Sequence, residues 1–322
     1  MVPRILKHSL TFALATVSAS CSDSSGPGTV LTTHPAGIVV SSPAIASRPF
    51  AVAISRDGMA YVGRQDVPFL QASALPLTDF IDSVRVGNDP KDIAFNAAGT
   101  RAYVTNQVSS NVGVVNVATG VSIDSIPVPG SPFRVLVSPN MQRIYVSSNN
   151  DSVYAIVVNT KTIALRWGFV APVNGMALSA NGAVLYVSSS GGKLYKLNAD
   201  GSGAVDNVTV GGIPQDVTLA PNGSELYLAN EAGSLEVRNP ATLALIDSVP
   251  GASGAFGLKA TPDGEQLYAT YPSAGEIRVI DVGGLSVGPV FGVGGTPRRI
   301  AFDIHGATAM VPNEGGFVTI IK

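Results

Sequence analysis

Four ionisable residues stand at matching points of a chain that carries few charges elsewhere: Asp92, Arg134, Asp216 and Arg299, each eleven residues before a Tyr or, in the last case, a Met. Two carboxylates and two guanidiniums brought to one level could neutralise one another, hold an anion, or supply a carboxylate base. An acid beside a base perturbs both, so ion pairing in a water-filled channel competes with a ligand site as the reading of the set. One residue earlier, across all seven copies, come Lys91, Asn174, Gln215 and Arg298, interleaved with Phe50, Phe133 and Phe256. Such a mixture suits a polar or aromatic ligand at the mouth of a channel. Asp92, Asn174, Gln215 and Asp216 could also cluster as metal donors, but Arg134 and Arg299 beside them would repel a divalent cation.

These residues acquire a common position only through an internal repeat. Tyr61, Tyr103, Tyr145, Tyr186, Tyr227, Tyr268 and Met310 follow one another at intervals of 41 or 42 residues. A steady period of that length means one supersecondary unit used seven times. In the second copy Asp92–Phe95, Arg101–Thr105, Val112–Val117 and Val121–Val128 each read as a short strand, bounded by Asn and Gly. Four short antiparallel strands per repeat predict an all-β, seven-bladed propeller. Blades are expected to begin near residues 48, 89, 131, 172, 213, 254 and 296. The seventh copy has three strands, so the segment 29–47 is expected to supply the fourth and close the ring, which removes an unpaired edge.

The alternation of strands then sorts the residues. Ile93, Val135, Met176, Val217, Leu258 and Ile300, with Val52, are apolar and should pack between blades. Their preceding neighbours Ala51, Asp92, Arg134, Gly175, Asp216, Gly257 and Arg299 should face the channel. Asp57-Gly58, Asn181-Gly182, Asn222-Gly223 and Asp263-Gly264 predict tight hairpins after the first strand, both residues of each pair tolerating the positive φ that such turns demand. Asp82, Asp124, Asp206 and Asp247 fall in the fourth strand, the outer edge, where a charge discourages edge-to-edge pairing. Trp167, the one Trp, should pack on the outer strand of blade three.

Tyr103-Val104-Thr105-Asn106, with its partial copies Tyr145-Val-Ser-Ser148, Tyr186-Val-Ser-Ser189 and Tyr227-Leu-Ala-Asn230, resembles the YVTN family of β-propeller repeat proteins over residues 48–322. The resemblance implies seven blades and, in most members, export from a bacterial or archaeal cell. It spans surface-layer proteins, periplasmic proteins and relatives of seven-bladed lactonases, so it implies no one activity.

Residues 1–20 read as an export signal, with Arg4, Lys7 and His8 before the apolar run Leu10–Val17. That run is shorter than the roughly 20 residues needed to span a bilayer. Cys21, the one cysteine, stands where a bacterial lipoprotein signal places its acylated residue, although Ser18 occupies a position where Leu is usual. Residues 21–28 form a polar tether, and 29–322 a single propeller. Charged residues are 13% of the chain, about half the common share, which suits an extracytoplasmic surface. A net charge of −2 without basic runs excludes a nucleic-acid footprint.

The three histidines, His8, His34 and His305, have no metal-ligand or triad spacing, and no CxxCH motif occurs. Gly191-Gly192-Lys193 and Gly211-Gly212 belong to blade turns with no helix behind them to hold a phosphate. No metal and no cofactor is expected. The reading is an exported, lipid-anchored, monomeric platform that binds a protein, glycan or small ligand on its loop face. A lactonase-like hydrolase at the channel mouth, with Asp92 or Asp216 as base and Arg134 or Arg299 holding an anion, is the alternative. A surface-layer structural protein is the second alternative.

Overall fold

The computed structural model describes residues 33–41, 43–75 and 82–322. The expected signal, the tether with Cys21, and residues 29–32 of the closing segment lie outside them. Among the described residues there is no helix.

Each repeat becomes a sheet of four antiparallel strands joined in chain order. Blade two is Pro90–Phe95, Arg101–Asn106, Asn111–Asn116 and Val121–Pro127. The first strand of every blade runs from the face where successive blades are connected, here the loop face, toward the face of the first hairpin turn, here the hairpin face. The seventh blade takes Ala301–Phe302, Ala309–Asn313 and Phe317–Ile321 from the end of the repeat. Val39–Ser41 lies antiparallel against Phe317–Ile321, with Val39 opposite Ile321, and closes the ring as the seventh copy requires.

The core is not one mass but seven clusters, each shared by two neighbouring blades. Tyr61, Ile93 and Val104 belong to the cluster between blades one and two. Val62, Met310 and Ile320 belong to the one that joins blade seven back to blade one. Fully burying a side chain of this kind is worth about 1.5–3 kcal/mol. The ring is therefore held at every seam by comparable apolar contact.

The recurring Tyr, Thr and Asn explain themselves at these seams. The Tyr ring sits in the core, and in blades three and four its hydroxyl reaches the next blade: Tyr145 donates to the Ala199 carbonyl at 3.1 Å and Tyr186 to the Pro240 carbonyl at 2.9 Å. Thr105 Oγ1 donates to the Phe133 carbonyl of the following blade at 3.0 Å, and Thr270 Oγ1 repeats this with Arg298 at 2.7 Å. Asn230 ties down the connection from the preceding blade, accepting from the Ile213 amide at 2.8 Å and donating to the Gly211 carbonyl at 3.1 Å. Asn313 does the same with Thr296 and Gly294. Gly212, at φ +57, leaves no room for a side chain there, because a Cβ would lie 2.3 Å from Asn230 Oδ1.

The first hairpins differ from the expectation in one respect. Gly58, Gly182, Gly223 and Gly264 have positive φ, but their Asp and Asn neighbours do not. Those side chains instead accept backbone amides two residues on: Asn181 Oδ1 from Ala183 at 3.0 Å, Asn222 Oδ1 from Ser224 at 2.9 Å. An Asx cap, rather than a second left-handed residue, shapes the turn. On the outer strands Asp206 and Asp247 are exposed, and Asp124 pairs with Lys161. Trp167 lies on Thr162–Gly168, the outer strand of blade three, as expected.

Candidate functional site

The four charges of the repeat converge. Arg134 Nη2 lies 3.1 Å from Asp216 Oδ1 and Arg134 Nη1 3.5 Å from Asp92 Oδ1, while Arg299 Nη1 lies 3.2 Å from Asp216 Oδ2. The carboxylates and guanidiniums neutralise one another, and Arg134 joins them into one network drawn from blades two, three, five and seven. Asp216 and Arg299 are each 3% exposed. The carboxylates also stitch backbones together: Asp92 Oδ2 accepts from the Val135 amide at 3.0 Å, and Asp216 Oδ2 from the Leu258 amide at 3.3 Å, in each case on the next blade. At the same level Gly257 admits no side chain, since a Cβ would lie 2.2 Å from the Arg298 carbonyl.

Burial works against both guanidiniums, and their surroundings separate them. Burial alone would lower the Arg134 pKa, but the combined attraction of Asp216 and Asp92 outweighs it and raises the value. Arg299 is pushed down to about 10 by burial, with Arg134 adding repulsion against the pull of Asp216 and Asp92. Both remain cations at neutral pH.

Where the sequence suggests a mouth, the structure places a plug. The first strands carry a bulge at this level: in blade two Pro90 faces Asn106 and Asp92 faces Thr105, so that Lys91 is the extra residue. The same shift occurs between Pro49 and Ala51 and between Pro132 and Val135. A bulge re-aims the side chain it carries. Phe50, Phe133 and Phe256 accordingly meet, with ring centroids of Phe50 and Phe133 6.0 Å apart and of Phe50 and Phe256 6.3 Å apart. The Arg299 guanidinium carbon lies 5.1–5.6 Å from all three ring centroids, within cation–π range. Beside the plug, Lys91 pairs with Asp89 at 2.9 Å and Arg298 with Glu314 at 2.9 Å. Gln215 donates to Glu231, and Asn174 to the Pro214 carbonyl at 3.0 Å. All four polar residues of the expected mouth thus have protein partners. Burial would raise the Glu314 pKa, but hydrogen bonds from Arg48, Arg298 and Gln65 prevail and lower it.

The other end of the channel is open. A cavity of 250 Å³ reaches in from the hairpin face to Asp92, Arg134, Asp216 and Arg299. A groove of 450 Å³ adjoins it, sharing Arg134, Leu136, Leu258 and Lys259, and runs between the first hairpins of blades three, four and five. Lys259 stands where they meet. It was not among the residues that the sequence singles out. Yet the alternation that places Asp92 and Asp216 on the axis, carried one step further along the strand, gives Ala53, Ala94, Leu136, Ala177, Thr218, Lys259 and Ala301, a layer with one charge in it. Solvent in the channel reaches the Lys259 side chain, but protein rings it. Desolvation first, and then repulsion by Arg134, lowers its pKa despite Asp216 and Asp92.

One further cluster lies off the axis. His34 Nδ1 is 2.8 Å from Asp263 Oδ2 and 3.5 Å from Glu265 Oε2. Among the described residues these three form the one group with metal-donor spacing. Sequence spacing could not reveal it, since His34 and Asp263 are 229 residues apart. The contact docks the segment before the closing strand onto the first hairpin of blade six.

No family model matches the chain. Two curated relatives, the uncharacterized protein YncE of Salmonella typhi and that of Salmonella typhimurium, are each 32% identical over 99 residues. The match spans 30% of this chain and 28% of the length of those relatives. Among solved structures, Kuenenia stuttgartiensis hydrazine synthase aligns with a TM-score of 0.78 at 15% identity, over 89% of this chain and 99% of that one. At that identity the likeness is one of fold. This is a seven-bladed β-propeller.

Proposed function

We propose that the protein is a rigid binding platform held at the cell envelope by a lipid on Cys21. The observation that carries this reading is the closed ring itself: seven seams of similar packing and a charge network spanning four blades fix the rim loops relative to one another. Loops held in this way bind without the entropic cost of ordering on contact. The rim would receive a protein, glycan or small ligand, with the protein acting as a monomer and needing no cofactor. The resemblance to YVTN repeats and the apolar run ahead of the lone Cys21 support an exported, anchored form.

The lactonase-like alternative finds less support. Asp92 and Asp216 are held by Arg134, Arg299 and backbone amides, so their oxygens are engaged within the protein rather than directed at a substrate.

Anchoring is tested by expressing the full chain and a Cys21→Ser variant in a diderm bacterium and fractionating the cells. The native chain is expected in the membrane pellet, released by detergent, and the variant in the soluble fraction. Equal partition of the two would overturn the lipid anchor.

A further inference from the structure

Three cations and two anions share the channel. Asp92 and Asp216 are engaged by Arg134 and Arg299, so the charge left over is that of Lys259. Its Nζ makes no ion pair and no hydrogen bond among the described residues. Nearby guanidinium donors are also unused. Arg299 keeps Nε and Nη2, and Arg134 keeps Nε, buried without an acceptor. Solvent reaches the Lys259 ammonium, so its charge stands open to an anion that enters the cavity.

The space around Lys259 says what kind of ligand that would be. The groove beside it is lined chiefly by apolar side chains, Leu136, Met176, Leu178, Val217 and Leu219 among them. A volume of 450 Å³ with few polar groups lies within the ordinary range of small-ligand sites. The single surplus positive charge matches one negative charge and not two. Asp92 and Asp216, close behind, would repel a dianion such as phosphate more strongly than a monoanion.

We infer that the hairpin-face end of the channel binds a small carboxylate with an apolar chain, its carboxylate on Lys259 and Arg134 and its chain in the groove between blades three, four and five. This site lies at the opposite end from the rim loops of the proposed platform and does not depend on the envelope reading. Failure of the cell fractionation would leave it intact.

The test is calorimetric titration of the purified full chain with octanoate, acetate, octanol and inorganic phosphate, repeated with Lys259→Met and Lys259→Arg. Octanoate should bind the native chain at least tenfold more tightly than acetate, octanol or phosphate. Lys259→Met should weaken octanoate about tenfold or more, and Lys259→Arg should restore most of the affinity. Circular dichroism on each variant confirms that it is folded. Octanoate binding that Lys259→Met leaves unchanged would overturn the assignment, as would equal affinity for octanoate and octanol, tighter binding of phosphate, or no binding of octanoate by the native chain.

Discussion

The two ends of the channel are built from the same strands and the same repeat, yet one is filled and the other is not. At the loop face Phe50, Phe133 and Phe256 close over Arg299, and the polar residues beside them are paired. At the hairpin face Lys259 stands unpaired above a cavity and beside an apolar groove. The filled end illustrates how an interior charge is tolerated, by opposite charge, backbone donors and aromatic faces together. The open end lacks that compensation. An end that could have been packed with one more apolar side chain, as in five of the six other blades at the level of Lys259, carries a lysine instead.

The comparison can be broken most forcefully at the residue both ends share. Asp216→Ala leaves Arg134 and Arg299 facing each other with one carboxylate between them. It is expected to cost about 3–5 kcal/mol in urea unfolding. A loss below about 1 kcal/mol would mean that the network contributes little. Next in size, Phe50→Ala removes the ring common to both aromatic contacts and is expected to cost about 3 kcal/mol. It should also speed amide hydrogen exchange at Val135 and Leu258, whose donors lie just beneath the plug. Exchange unchanged at both positions would show that the plug does not shield the network.

The smallest effect has the opposite sign. Because the folded state lowers the Lys259 pKa, it binds this proton less readily than the unfolded chain does. The resulting destabilisation is fully present below the folded pKa and fades as pH rises toward the ordinary lysine value of 10.5. Solvent at the exposed side chain screens most of this, so Lys259→Met should raise the Tm at pH 7 by no more than about 1 °C, with the gain shrinking in alkaline buffer. A lower Tm would place Lys259 among the structural residues and erase the contrast between the ends.

Much of this was legible in the sequence because it depends on period alone. The recurring Tyr fixes the blade, and counting back from it finds Asp92, Arg134, Asp216 and Arg299 on one level. The need to pair the last blade's edge points to the segment containing Val39–Ser41. What was not legible depends on departures from the period. The bulge at Lys91 and its equivalents breaks the alternation, so Phe50, Phe133 and Phe256 turn onto the axis where strict pleating leaves a mouth. Lys259 was within reach of the same alternation, but its layer is otherwise small or apolar and attracts no attention unless every layer is read. The His34 contact with Asp263 joins residues that only the closed ring brings together.

The strand Val39–Ser41 carries a consequence for how the protein comes into being. Its partners, Ile320 and Ile321, are made long after it, so it must wait unpaired while blade after blade assembles behind it. Until then that strand has no partner, a form prone to pairing with other chains. The contact that ends that hazard needs the last strand of the final blade, so the interval before closure is the time when a chaperone would be of most use.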